Sequence, residues 1–180
     1  MRKVMLLAVL FVSLWCNSAL AVTQVQLDDD STLYDLVERY NDLTKRMNSD
    51  DFNGYMRERI SDSFIRLNDT LIPYTTTYYS NNILTGTSIF ASVNGNGLVS
   101  GVLIVVPNSQ SSNVCVFAAS RFITILDSSL PYRDIQATCV RSLDRQDSNM
   151  IYSVKHNRGY IINGCNTDGY YRLAIIAGAQ

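Results

Sequence analysis

The chain offers few side chains able to do chemistry. His156 is its single histidine. A Ser–His–Asp triad needs only one, and serines and aspartates are plentiful. Yet no serine lies in the Gly-x-Ser-x-Gly turn that exposes a nucleophile at a strand-to-helix corner. His156 instead adjoins Asn157-Arg158-Gly159, a hairpin-turn sequence, and reads as a solvated turn residue. Cys115, Cys139 and Cys165, with His156, match a structural zinc set by number. Their spacings of 24 and 26 residues, with His156 nine before Cys165, lack the short ligand pairs of zinc modules.

The carboxylates carry no stronger signal. Asp28-Asp29-Asp30 lacks the alternating oxygens, Gly bend and distal Glu of a calcium loop. These residues suit the start of a helix, where acids complement the dipole. Glu38 and Glu58 are the only glutamates. Both fall on outward-looking helix positions, so solvation explains them better than paired acid–base hydrolysis of a sugar. The residues therefore imply no metal and no cofactor.

The amino terminus is an address. Arg2 and Lys3 precede an apolar run from Val4 to Trp15, and Ala19-Leu20-Ala21 supplies a small-x-small cleavage pattern. A signal peptide over 1–21 is predicted, with cleavage between Ala21 and Val22. The run is shorter than the ~20 residues of a spanning helix, so no membrane span is expected. The protein is expected to be secreted. Asn68-Asp69-Thr70 is then a candidate glycosylation site at Asn68. In an oxidising compartment free thiols tend to oxidise, which argues against a catalytic cysteine.

Composition narrows the classes further. The chain has 180 residues, 47% hydrophobic and 17% charged, with 15 basic and 16 acidic residues. Disorder is excluded by the hydrophobic content and near-zero net charge, and a basic nucleic-acid binder by the balance of bases and acids. One domain over 22–180 is predicted, with a helical part at 30–72 and a β part at 73–180. The stretch from Asp28 to Thr70 holds eleven acids against six bases, and Leu71 to Gln180 five against seven.

Leu33, Leu36, Val37, Tyr40, Leu43 and Met47 recur at helical spacing, with Asp30 or Ser31 as cap. Met56, Ile60, Phe64, Leu67 and Leu71 mark a second helix ending before Pro73. Lys45-Arg46, a dibasic pair, falls within the first helix and belongs to its surface. Strands are predicted at Thr75–Tyr79, Ser88–Val93, Leu98–Val106, Asn113–Ala118, Phe122–Leu126, Ile135–Val140, Met150–Lys155, Tyr160–Ile162 and Tyr170–Ile176. Asn94-Gly95-Asn96-Gly97 is the strongest hairpin signal. A membrane-inserting hairpin is disfavoured because Leu103–Val106 is apolar on both faces, as in a buried core strand. The fold class is α+β: an amino-terminal helical hairpin packed on an antiparallel sheet or sandwich of about six to eight short strands.

If Asn113–Leu126 and Ile135–Val140 pair across the Asp127–Pro131 turn, Cys115 and Cys139 approach each other and form a disulfide. A meander would leave Cys139 and Cys165 two strands apart, about 9.6 Å at a strand spacing of ~4.8 Å. Cys165 then stays in a turn over Asn163–Gly169, exposed and available for a homodimeric disulfide.

Tyr, Ser, Asn and Gly, abundant here, are the palette of adaptable recognition surfaces. The sequence therefore reads as a secreted binding protein without catalytic activity. Its partner is an extracellular protein, a glycan or a small ligand, and its setting defence, reproduction or a secreted fluid. The alternatives are a secreted hydrolase using a Ser or Cys nucleophile with His156, and a structural component of an extracellular layer.

Overall fold

The computed structural model describes residues 26–27, 30–69, 71–73, 75–82 and 84–178. The predicted signal peptide and its cleavage site lie outside them, as do Asp28, Asp29 and Thr70 of the sequon. No helix among the described residues is long and apolar enough to cross a membrane.

The class is α+β. Helix α1 spans Leu33–Met47 and a short α2 spans Phe52–Glu58. A meander follows: β1 Ile65–Arg66, β2 Thr76–Asn81, β3 Ser88–Val93 and β4 Val99–Pro107. Helices α3 (Ser112–Leu126) and α4 (Tyr132–Arg145) come next. Strands β5 Ser148–Ser153, β6 Arg158–Thr167 and β7 Tyr170–Gly178 form a second meander. The seven strands make one antiparallel sheet in the order β1-β2-β3-β4-β7-β6-β5. The helices pack on one face of it. One continuous core joins Ile104, Ile162, Leu173 and Ile175 of the sheet to Leu36, Tyr40, Phe122, Ile123 and Ile135 of the helices.

Helix α1 follows its sequence stripe. Leu33, Leu36, Val37 and Tyr40 are buried, and the Tyr40 ring lies 4.7 Å from that of Phe122 on α3. Its cap is Thr32, one residue later than expected. The Thr32 hydroxyl and the Asp35 carboxylate satisfy each other's backbone N–H in a capping box.

The second helix is shorter than its periodicity predicts. It stops at Glu58, and the chain is extended or irregular from there through β1. Tertiary hydrogen bonds decide this. Asn82 Nδ2 donates to the carbonyls of Met56, Arg57 and Arg59. The Asn41 amide binds both the N–H and the carbonyl of Ile60, each at 2.9 Å. Asn68 consequently lies in the exposed loop after β1 rather than at a helix end.

The larger correction concerns 112–145. The predicted strands Asn113–Ala118, Phe122–Leu126 and Ile135–Val140 are parts of α3 and α4. Helix α3 is buried around most of its circumference, so its sequence has no polar face to reveal the helical period. The helical pairing is therefore not confined to the amino terminus. The Asp127–Pro131 turn stands where expected, but it joins two helices.

Helix α4 ends on Gln146, which takes the left-handed conformation at φ 53°. The Asp147 N–H returns to the Ser142 carbonyl at 3.2 Å. Here the helix touches the sheet: Ser142 Oγ donates to the Ile162 carbonyl at 3.0 Å. A Cβ on Gly164 would lie 2.1 Å from the Ser142 carbonyl oxygen, a backbone atom. Gly164→Ala is expected to cost about 3 kcal/mol by forcing α4 off the sheet. Denaturant unfolding measures it, and a change under about 0.5 kcal/mol, the scale of an ordinary surface substitution, would contradict this packing.

Candidate functional site

A polar cleft of about 620 Å³ opens among the described residues. Three separate segments form it: Arg39, Asp42 and Arg46 of α1, Thr124, Ile125 and Leu126 at the end of α3 with Ser128 just beyond, and Lys155 and His156 of the β5–β6 hairpin. Asp30 and Ser31 complete its edge, and Arg39 Nη1 donates to Ser31 Oγ at 2.8 Å. Arg46 Nε donates to the Asp42 carbonyl at 3.4 Å.

His156 is not merely a solvated turn residue. Its Nε2 lies 3.6 Å from Asp127 Oδ1, with the imidazole half-exposed and the carboxylate fully buried. Asp127 Oδ1 accepts the Ser129 N–H at 2.8 Å and the Ser129 hydroxyl at 2.6 Å. The His156 N–H donates to Ser153 Oγ at 3.1 Å. Burial raises the proton affinity of Asp127. The Ser129 and Ser153 hydroxyls, the Ser129 N–H and the charge of His156 outweigh it, holding the carboxyl below its ordinary value. Asp127 is thus a buried anion that ties the inter-helix turn to the β5–β6 hairpin.

The cysteines do not join this site. Strand pairing was to bring Cys115 and Cys139 together, but they sit on α3 and α4 as free, buried thiols. Burial pushes Cys139 up to about 12, and Cys115 higher still. Cys165 is free and partly exposed, on β6 opposite Arg172 rather than in a turn. Only Asp168-Gly169 remains as the turn, because the β6–β7 ladder runs as far as Thr167 and Tyr170. Cys165 is seven positions along β6 from Arg158, roughly 23 Å of strand, so Cys165 and His156 stand at opposite ends of the sheet. Among the described residues no cysteine pairs with His156.

Glu58 is not a solvated helix residue either. It meets Arg121 of α3, which is only 5% exposed, at 2.5 Å, and accepts from Asn48 Nδ2 at 3.0 Å. This pair fixes α2 against α3, away from the cleft. Among the described residues no group of three or more His, Cys, Asp or Glu is arranged to hold a metal ion. The sequence signal for the cleft was thin: a turn histidine followed by Asn-Arg-Gly, and an aspartate opening the Asp127–Pro131 turn.

Comparison with known protein families, with curated proteins and with solved structures returns no match.

Two outcomes follow. A depressed carboxyl stabilises the fold above its unfolded value near 3.8, and that contribution is lost as pH falls through the folded value. Asp127→Asn should therefore cost about 1–3 kcal/mol at neutral pH. The difference from wild type should shrink below about pH 4. Denaturant unfolding across that range checks it. In the native protein an alkylating reagent should modify Cys165 and leave Cys115 and Cys139 untouched until unfolding. Peptide mapping by mass spectrometry reads this out.

Proposed function

We propose that the protein is a secreted binding protein, and that its ligand is a polar molecule bearing a carboxylate, sulfate or phosphate group. The observation that carries this reading is the cleft's cationic rim. Arg46, Lys155 and His156 come from two distant segments and converge there with Arg39. The acids Asp30 and Asp42 stand beside them and give the ligand's hydroxyl or amino groups acceptors. Asp127 lies beneath His156, 3.6 Å from its Nε2, and holds the ring in place. Acidic sugars fit this description, which keeps the glycan and small-ligand readings together. The amino-terminal sequence pattern supports secretion, and the exposed setting of Asn68 is compatible with a glycan there.

The hydrolase reading keeps one supporting observation, the aspartate behind His156. The two hydroxyls bonded to this pair are already engaged, Ser129 on Asp127 and Ser153 on the His156 N–H. Loss of the protein's biological effect in His156→Ala, with the fold intact and anion affinity unchanged, would favour the enzyme.

Calorimetric titration with glucuronate, sulfate and inorganic phosphate tests the binding reading. At least one should bind, and Arg46→Glu should weaken it about tenfold, a change of about 1.4 kcal/mol. Binding should also weaken with added salt. Failure of all three anions to bind at low ionic strength would overturn the proposal.

A further inference from the structure

The two edges of the sheet are built differently. At one edge β1 is two residues long and carries Arg66, both of which discourage pairing with another chain. At the other edge β5 runs six residues, Ser148–Ser153, with no proline and no charge. Its register with β6 is regular from Ser148↔Asn163 to Ser153↔Arg158, without a bulge. Its outer side has no strand partner among the described residues. Met150 and Tyr152 on one face of it are 61% and 40% exposed, and Val154 beyond it is 86% exposed. Natural sheets protect such an edge with lysine, proline or a bulge, and β5 has none of these within the strand.

We infer that β5 pairs antiparallel with β5 of a second copy of this chain, making one continuous sheet across a two-fold axis. Symmetry and charge select the register. A two-fold axis normal to the sheet keeps each face on its own side, so residues opposite each other must have the same parity. With Ile151 on the axis, Met150 of each copy faces Tyr152 of the other, a sulfur–aromatic contact. The same register brings Asp147, just before the strand, beside the 154–157 turn that carries Lys155, at both ends. Both side chains are exposed. Moving the axis to Met150 would oppose Asp147 to Ser153 and lose both of these approaches of opposite charge. The second copy is thus the occupant that this edge's own charge pattern complements. A single strand pair buries less than the roughly 1,600 Å² of a standard interface, so the dimer is expected to depend on concentration.

Sedimentation of the mature chain in a Cys165→Ser background tests this apart from any disulfide through Cys165. A monomer–dimer equilibrium is expected, and Met150→Glu should raise its dissociation constant at least tenfold while circular dichroism stays unchanged. Under mild oxidation Ile151→Cys in the same background should cross-link to itself, because position 151 lies on the axis. A chain that stays monomeric at every concentration overturns the proposal. So does a dimer indifferent to Met150→Glu. Cross-linking of Met150→Cys in place of Ile151→Cys would overturn the register. Neither Met150 nor Ile151 lines the anion-binding cleft, so these readouts are separate from it, although Lys155 is shared between the two.

Discussion

The pairing of β4 with β7 is the constraint on which the rest of the structure depends. It runs from Gly101↔Ile176 to Pro107↔Tyr170 and, among the described residues, is the only ladder joining the two meanders. The paired segments are some seventy residues apart in sequence. Loop closure on that scale costs entropy before any contact repays it. The repayment is apolar: Val99 through Val106 are all buried, as are Leu173 through Ala177. Once these strands meet, α3 and α4 between them must cross one face of the sheet. The end of α3 then reaches the β5–β6 hairpin, and the cleft is assembled from α1, the inter-helix turn and that hairpin.

Buried and half-buried polar groups fix the positions that apolar packing leaves free. Glu58 and Arg121 join α2 to α3, Asp127 joins the inter-helix turn to the β5–β6 hairpin, and Asn41 and Asn82 end α2. Arg172, 3% exposed, donates to the Thr167 carbonyl at 2.8 Å and closes the β6–β7 turn. Replacing one member of such a set leaves its partner unsatisfied in a dry environment, and that penalty is what makes the arrangement specific.

How legible this was in the sequence depended on whether a residue's surroundings were local. Helix α1 lies half in solvent and showed its stripe. The hairpin at Asn94–Gly97 announced itself through turn chemistry, with Gly97 at φ 82°. Helix α3 did not, because β-branched and apolar residues on nearly every side look like a strand. Helix α4 was readable in principle: Ile135, Thr138, Cys139, Ser142 and Leu143 are buried at helical spacing. Two polar members hid that stripe. The end of α2 was unreadable, since Asn82, more than twenty residues later, imposes it. For the same reason the cleft could not be foreseen. Arg46, Asp127 and His156 become neighbours only through the β4–β7 closure.

The role of the cleft is tested most directly by where an anion binds. Backbone and side-chain NMR spectra of the full mature chain, recorded during titration with sulfate, would locate it. The expected result is a set of shifts confined to Arg39, Arg46, Ser128, Lys155 and His156, with Asp127 and Ser129 responding beneath them. Shifts centred instead on Arg121 and Arg59, or on Arg172 at the far end of the sheet, would contradict it.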